Sequence, residues 1–271
     1  MRDRACRTIW YPPARIHTRE RMDDPGSDHD LVRRTLGHLA LVNRILSRVR
    51  TLLLRFVIRD MASRGVSQAT VLDVGAGGGD VGLWLVREGA RRGLSIRVTC
   101  VDSDARAVAY AKDRVGRNQA IDIVHASLFE VEGQWDYVIS NHVLHHLRDE
   151  EIVGFLEHAR RICRRRILWN DLLRSRLSVL GFSAYSALLM HGSYARADGL
   201  LSILKGFRPR ELRRLIRASS WRGRACVGTL LPGRVYIVGE IPECGGARNA
   251  GDAPGYDQSV RNSLAVSSSM R

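Results

Sequence analysis

Residues 71–82, VLDVGAGGGDVG, constrain the fold more than any other part of this 271-residue sequence. A short apolar strand leads straight into a turn with four glycines, and a helix follows. Glycine is favoured where the backbone needs a positive φ or must approach a ligand closely, and a helix N-terminus at such a turn faces that ligand. The segment therefore predicts the first strand, turn and helix of a βαβ unit.

Strands and helices alternate along the middle of the chain, as a parallel sheet with helices on both faces requires. Apolar runs predict strands at 71–74, 96–101, 121–125, 135–140, 166–170, 225–230 and 234–239. Helical spacing of apolar residues predicts helices at 79–91, 103–115, 150–163 and 209–219. We therefore expect an α/β fold built on a Rossmann-like, mostly parallel sheet of seven strands.

The segments around this sheet differ in composition. Residues 1–29 are polar and are interpreted as an N-terminal arm, and 30–62 repeat apolar residues at helical spacing, which predicts two amphipathic helices acting as a lid. The main domain is placed at 63–241, with a helical insert at about 172–206. Residues 242–271 are rich in Gly, Asn and Ser and are interpreted as a disordered tail.

The glycine turn fits two ligand-binding patterns. Gly77, Gly79 and Gly82 satisfy the G-x-G-x-x-G of dinucleotide-binding folds. Asp73, Gly75, Gly77 and Gly79 satisfy the D-x-G-x-G-x-G pattern of proteins that bind S-adenosylmethionine (SAM).

Register and charge separate the two patterns. Counted from Gly75, the first glycine after the strand, the third glycine position of the dinucleotide pattern is Asp80. Carboxylates at Asp73 and Asp80 would repel a pyrophosphate but suit the amino group and sulfonium of SAM. Asp102 ends the second strand, where its oxygens can accept both hydroxyls of a ribose. The pattern favours SAM.

Residues 70–173 resemble the class I SAM-dependent methyltransferases, and the last two predicted strands resemble the antiparallel hairpin that closes the sheet in that family. The resemblance covers residues 70–240 and implies SAM as the cofactor and no metal. The residues that it places against SAM are Asp73, Gly75, Ala76 and Gly77 at the methionine part, Asp102 and Ser103 at the ribose, Ser127 at the adenine, and Asn141 with His142 beneath the sulfonium. At Ser127 the family usually carries an aspartate.

The stretch Asn141-His-Val-Leu-His-His-Leu147 resembles the fourth-strand signature of family members that act on quinones, phenols and other small molecules. His142 and His146 are the candidate catalytic residues, because a histidine near neutrality can take the proton of a hydroxyl as the methyl group transfers. The alternative is that His145 and His146 open the next helix and bond to backbone or carboxylates. Asp171 either orients the substrate or caps a helix.

The insert carries many apolar side chains. They are Leu177, Val179, Leu180, Phe182, Tyr185, Leu188, Leu189, Met190 and Tyr194. Two interpretations remain open: these side chains line an acceptor pocket, or they pack the insert on the sheet. Lining would predict a hydrophobic or aromatic acceptor.

The predicted function is SAM-dependent methylation of a hydrophobic small molecule, with O-methylation of a phenol or polyketide-like hydroxyl preferred. C- or carboxyl-methylation of a quinone or lipid precursor is the first alternative, and RNA or protein methylation the second. A degenerate SAM fold that serves as a non-enzymatic partner protein is disfavoured by the intact glycines and by Asp73 and Asp102.

The formal net charge is +15, and nearly all of the basic residues are arginines. No basic motif interleaved with aromatic residues accompanies this charge, so a nucleic-acid partner is not expected. The run from Arg160 to Arg166 is interpreted as a solvated helix end. No C-x-x-C pair and no 20-residue apolar stretch occur, so a cytoplasmic location without a transmembrane helix is expected.

Overall fold

The computed structural model describes residues 14–242. The first part of the predicted arm, 1–13, and all but the first residue of the predicted tail at 242–271 lie outside the described residues.

One sheet of seven strands organises the described chain. The strands are β1 (Gln68–Val74), β2 (Ser95–Asp102), β3 (Ile121–His125), β4 (Trp135–Asn141), β5 (Cys163–Leu172), β6 (Ala225–Leu230) and β7 (Arg234–Glu240). Their order is β3-β2-β1-β4-β5-β7-β6, and β7 runs antiparallel to both β5 and β6 while the other pairs are parallel. The predicted α/β fold, with seven strands and a closing hairpin, is confirmed.

Nine α-helices accompany the sheet in the described residues. They are α1 (His29–Ile45), α2 (Val49–Leu53), α3 (Arg59–Ser63), α4 (Asp80–Ala90), α5 (Ala105–Val115), α6 (Asp149–Ile162), α7 (Arg176–Leu189), α8 (Ala195–Lys205) and α9 (Pro209–Arg217). A π-helical turn, Leu54–Ile58, joins α2 to α3, so the second helix predicted within 30–62 is continuous but irregular. The predicted insert consists of α7 and α8.

Local side-chain chemistry sets where several helices begin. Asp28 starts α1 by accepting the Leu31 N–H (2.9 Å), and Asp104 starts α5 by accepting the Arg106 N–H (2.8 Å). Such caps satisfy donors that have no partner within the helix and contribute about 1 kcal/mol each. Gly79 precedes α4 in the left-handed conformation, with φ +68°. The left-handed conformation of Gly79 therefore lets the chain turn from the end of β1 into α4.

Buried side chains fill both faces of the sheet. On one face Phe155 of α6 stacks on Trp169 of β5, with ring centroids 4.4 Å apart. On the other face α4 lies close to β2, because Gly82 presents no side chain there: a Cβ at Gly82 would lie 2.9 Å from Cys100 Sγ. The sheet is therefore the central layer of three.

The arginine run predicted as a helix end is divided between two elements. Arg160 and Arg161 lie in the last turn of α6, as expected, but the last residues of the run belong to β5. Arg165 pairs with Asp136 (3.2 Å), and Arg166 pairs with Asp60 (3.1 Å). The prediction was wrong for these arginines because β5 begins at Cys163, before the apolar part of its sequence.

Candidate active site

A cavity of about 1160 Å³ lies at the C-terminal edge of the sheet, where β1 and β4 are neighbours and the strand order reverses. Ligands of open α/β sheets bind at such a reversal. Three segments outside the sheet cover it: α1, α8 and residues 14–28, which we call the N-terminal strap. Predicted site residues from β1, β2 and β4 therefore meet in one cavity with side chains from the lid and the insert.

The β1 turn forms the floor of the cavity. Gly75 and Gly77 both have a positive φ, +66° and +53°, and a Cβ at Gly75 would lie 2.2 Å from Cγ2 of Val143. The Gly75 and Ala76 N–H groups both donate to the Val101 carbonyl (2.8 and 3.1 Å), so the turn bonds to β2. The glycines thus give a ligand space to approach the backbone.

Asp73 is buried beneath this turn and is 1% exposed. Its Oδ2 atom has no hydrogen-bond partner among residues 14–242. Burial, with smaller contributions from Asp80 and Asp102, raises the pKa of Asp73 well above its usual value. An unpartnered buried carboxylate oxygen is costly, and a cationic group in the cavity would relieve that cost. The residues therefore fit the methionine part of SAM, which carries an amino group.

Asp102 at the end of β2 is already oriented by backbone. Its Oδ2 accepts the Gly77 N–H (2.8 Å) and its Oδ1 accepts the Asp104 N–H (3.0 Å). A carboxylate oxygen accepts more than one hydrogen bond, so Asp102 keeps capacity for a diol such as a ribose. Ser103 lies beside it in the cavity lining.

Asn141 and Ser127 differ in placement. Asn141 lines the cavity and donates to Asn43 Oδ1 of α1 (2.9 Å), which ties β4 to the lid. Ser127 lies outside the cavity lining, and its hydroxyl accepts the Phe129 N–H at 3.4 Å. The neighbouring Leu128 lines the cavity instead. The adenine contact of Ser127 thus stays a prediction without a supporting contact.

His142 lines the cavity with a positive φ of 65°, unusual for a residue with a side chain. Its Nε2 atom accepts a hydrogen bond from the Arg234 guanidinium. Burial and that neighbouring charge hold the pKa of His142 well below its usual value. The ring is therefore neutral, and the Nε2 lone pair is engaged, which does not favour the predicted role of His142 as a base.

His145 forms a buried charged pair in the cavity wall. Its Nδ1 lies 2.7 Å from Asp171 Oδ1, and its backbone N–H donates to Asp171 Oδ2 (3.2 Å). Its Nε2 lies 3.4 Å from Glu20 Oε1. Burial alone would lower the pKa of His145, but Asp171 and Glu20 together outweigh burial and raise it to about 9. His145 is therefore protonated at neutral pH.

Glu20 enters the cavity from the N-terminal strap and is 4% exposed. Its Oε1 accepts from Lys205 Nζ (2.8 Å) and from the Ser202 hydroxyl (2.8 Å), both on α8. Burial alone would raise the pKa of Glu20, but the charges of His145, His146 and Lys205 lower it. Glu20 is thus a buried carboxylate that joins His145 to the insert.

The strap is fixed to the main domain by backbone hydrogen bonds. The N–H groups of Arg21 and Met22 donate to the carboxylate of Asp198 at 3.0 and 2.9 Å. Arg106, which follows β2, donates to the carbonyls of Met22 (2.8 Å) and Asp24 (3.1 Å). The strap is therefore an ordered wall of the site.

His146 lies at the rim. Its Nδ1 is 3.1 Å from Asp23 Oδ2 and 3.3 Å from Lys205 Nζ, and its side chain is 31% exposed. Ligand-type atoms of Glu20, His145 and His146 lie within 4.8 Å of one another, as in a metal site. However, the Lys205 ammonium already stands beside Glu20, where a metal ion would meet its repulsion. The arrangement therefore favours an ion-pair cluster.

Sequence reasoning missed Glu20, Lys205 and the pairing of His145 with Asp171. That pairing had a signal, since β4 and β5 are parallel neighbours, and residues at or just after the carboxyl ends of such strands meet at one edge of the sheet. Glu20 and Lys205 are 185 residues apart, and no local pattern connects them.

The insert lines the cavity with only part of its apolar side chains. Phe182 and Met190 are lining residues. Leu177, Leu180, Leu188 and Leu189 point to solvent and are each at least 47% exposed. The expectation that these leucines line the pocket or pack on the sheet was wrong.

Comparison with known proteins agrees with this geometry. Residues 71–166, about a third of the chain, match a family described as a methyltransferase domain. A ribosomal protein L11 methyltransferase of Geotalea daltonii is 38% identical over 79 residues, which are 28% of this chain and 24% of that protein. The chain thus spans about a quarter of the length of that relative.

Solved structures resemble the chain over a longer stretch. The plantazolicin methyltransferase BpumL, in complex with a desmethyl analog and SAH, has a TM-score of 0.59 at 13% identity, covering 78% of this chain and 90% of that one. Human N-acetylserotonin methyltransferase with SAM has a TM-score of 0.55 at 18% identity, covering 76% of this chain and 55% of that one. At these identities the likeness shows that the chain has the fold of these proteins.

Proposed function

We propose that this chain, whose residues 71–166 match a methyltransferase-domain family, transfers the methyl group of SAM to a hydroxyl of a hydrophobic small molecule, a phenol or polyketide-like hydroxyl. One observation carries the proposal. A single cavity is lined by the SAM-type residues Asp73 and Asp102 and by His145, whose ring is held at Nδ1 by the buried Asp171.

The other walls of the cavity support an apolar acceptor. Leu39 and Val42 of α1, Phe182 of α7 and Met190 contribute apolar side chains to the cavity lining. Pockets for small organic ligands combine such walls with a few fixed polar groups. An aromatic ring would lie among these side chains, with its oxygen directed at His145.

SAM supplies, when bound, a methyl group activated by its sulfonium. The task of the chain is to orient the acceptor oxygen, exclude water and stabilise charge. Protonated His145 can donate from Nε2 to an acceptor phenolate, and Asp171 fixes the ring for that contact. A neighbouring cation lowers the pKa of a phenol, so His145 would hold the acceptor in its reactive, ionised form. The acceptor proton leaves to solvent on binding.

Protein methylation is the second candidate, because of the similarity to an L11 methyltransferase. The N-terminal strap, α1 and α8 cover the cavity. A small molecule can enter beneath these segments more readily than a side chain carried by a folded protein can. C- or carboxyl-methylation of a quinone or lipid precursor fits the same walls and would need a different contact at His145.

Incubation with methyl-labelled SAM tests the proposal. The acceptors offered in parallel are a phenolic extract, ribosomal protein L11 and total RNA, with Asp102→Ala as the inactive control. Label in a phenolic product, located by mass spectrometry on oxygen, is the expected result. Label only in L11 or RNA would overturn the small-molecule proposal.

A further inference from the structure

Helix α7 shows the reverse of the usual burial pattern. Two of its three buried residues are serines, Ser178 and Ser186. Its leucines face outward: Leu177 is 79% exposed and Leu188 is 77% exposed. A helix that packs on a core buries its apolar side, so the outward side of α7 has no partner within the described chain.

The exposed leucines form one continuous face. Leu177, Leu180, Ala184 and Leu188 follow at intervals of three, four and four residues, which places them on one side of a helix. Leu231, in the turn between β6 and β7, is 84% exposed. That turn contacts α7, since a Cβ at Gly233 would lie 2.4 Å from Ser178 Oγ. We call Leu177, Leu180, Leu188 and Leu231 the leucine face.

A groove rich in arginine borders the leucine face. Arg176, the first residue of α7, shares this groove with Arg208, Arg210 and Arg213 of the α9 region. None of the eight residues that line the groove is acidic. Leu177 directly follows Arg176 in α7, so exposed apolar surface and positive charge are adjacent.

We propose that the leucine face and the arginine groove bind the surface of an anionic lipid bilayer, with α7 lying in the interface. Helices of this kind insert leucines at the boundary of the acyl chains while basic residues meet lipid phosphates. Helix α7 has 14 residues, about 21 Å at 1.5 Å per residue, so it would lie along the interface. Within residues 14–242 no helix has the length and hydropathy to cross a bilayer.

Charge favours a bilayer over other occupants. Two copies joined by this face would bring two arginine grooves together, on chains of net charge +15 each. A nucleic acid would match the arginines but leave the leucine face exposed to water. An anionic lipid surface satisfies both features at once, and Phe182 on the other side of α7 lines the cavity.

Co-sedimentation with vesicles tests this inference. Full-length protein is mixed with vesicles of phosphatidylcholine alone, or of equal parts phosphatidylcholine and phosphatidylglycerol. Binding to the anionic vesicles only is expected, and it should weaken as added salt shortens the screening length from about 10 Å to about 3 Å. Leu177→Ser/Leu188→Ser and Arg210→Gln/Arg213→Gln should each bind about tenfold more weakly.

Matched controls distinguish binding through this surface from nonspecific electrostatic or hydrophobic binding to the vesicles. Arg91→Gln/Arg92→Gln removes the same amount of charge at the end of α4. Val124→Ser removes an exposed apolar side chain from β3, the edge strand opposite β6. Both should bind like the unaltered protein. The inference fails if the unaltered protein ignores anionic vesicles, or if the leucine variant binds them undiminished. It also fails if sedimentation velocity shows a dimer that the leucine variant dissociates, since the face would then bind a second copy.

Discussion

His145 and Glu20 lie with Nε2 and Oε1 3.4 Å apart, although 125 positions separate them along the chain. Asp171 holds the other side of the same ring at 2.7 Å. The imidazolium is therefore placed between two carboxylates, one from the end of β5 and one from the N-terminal strap. Both carboxylates stabilise its positive charge.

The pH profile of methyl transfer, on both its rising and its falling side, should reflect how His145 is held by Asp171 and Glu20. If protonated His145 binds the acceptor as a phenolate, transfer should rise as the phenol ionises and fall as pH passes about 9, the pKa of His145. Asp171→Asn removes a charge that raises this pKa, so the falling limb should move to lower pH. NMR titration of the His145 ring measures the same shift without any acceptor.

His145→Gln should lower kcat by about a hundredfold. His146→Gln at the rim should have a smaller effect, and His191→Gln, which is exposed and outside the cavity lining, should have none. A larger loss for His146→Gln than for His145→Gln would return the catalytic role to His146, one of the two histidines that the sequence indicated.

The cofactor site is tested by Asp73→Ala and Asp102→Ala. Each removes a carboxylate aimed at a ligand donor, so SAM should bind about tenfold to a hundredfold more weakly in calorimetry. Asp122→Ala on β3 is the control, because that side chain is exposed and outside the cavity lining. Unchanged affinity in both site variants would remove these residues from the SAM contact set.

The effects of substituting Glu20 and Lys205 on the free energy of unfolding should be coupled. Glu20→Gln leaves the ammonium of Lys205 and the charge of His145 buried without their shared partner, which costs about 3–5 kcal/mol in the free energy of unfolding. The double change Glu20→Gln/Lys205→Met should recover part of that loss. Asp113→Asn breaks an exposed pair with Arg33 and should cost at most about 1 kcal/mol.

The pH dependence of this effect has a definite sign. The folded state lowers the pKa of Glu20, so its contribution to stability is complete above the unfolded value of 4.5 and is lost as pH falls below it. Urea unfolding of the unaltered protein and of Glu20→Gln should therefore converge toward acid pH. A difference that grows toward acid pH would contradict this assignment of charge.

Two helical glycines should respond oppositely to alanine. Gly82→Ala places a Cβ 2.9 Å from Cys100 Sγ and 3.2 Å from Val98 Cγ1, so overpacking should cost about 1–3 kcal/mol in the free energy of unfolding. A Cβ at Gly181 on α7 would meet no atom of the described chain within 4 Å, so Gly181→Ala should raise the free energy of unfolding by about 0.5–1 kcal/mol. Thermal unfolding of the pair measures both; equal effects would show that α4 does not depend on a close approach to β2.

The fold could be predicted because its signals are local. Apolar runs and helical periods placed each strand, and the helices α4, α5, α6 and α9, to within a few residues, and the glycine turn indicated parallel order. The start of β5 was predicted too late because Arg165 and Arg166, which pair with Asp136 and Asp60 in the structure, were assigned to a solvated helix end.

The acceptor side could not be predicted in the same way. Composition suggested that the leucines of the insert are buried, yet α7 buries Ser186 and exposes Leu188. Which side of α7 faces the rest of the protein depends on tertiary packing, and its outward face is apolar. Glu20 lies in a polar stretch with no periodicity, so its burial against Lys205 became visible only in three dimensions.

The place of the N-terminal strap in the sequence has a consequence for how the protein can evolve. Residues 71–166, which match the methyltransferase family, contribute Asp73, Asp102 and Asn141, whereas the strap, α1, α7 and α8 all lie outside that stretch. The residues proposed to bind the cofactor thus lie within one stretch of sequence, whereas the proposed acceptor site combines His145 of that stretch with side chains from outside it. Exchanging the strap and insert together between relatives, with Glu20 and Lys205 kept as a pair, would change the walls around the acceptor and leave His145 and the cofactor residues in place.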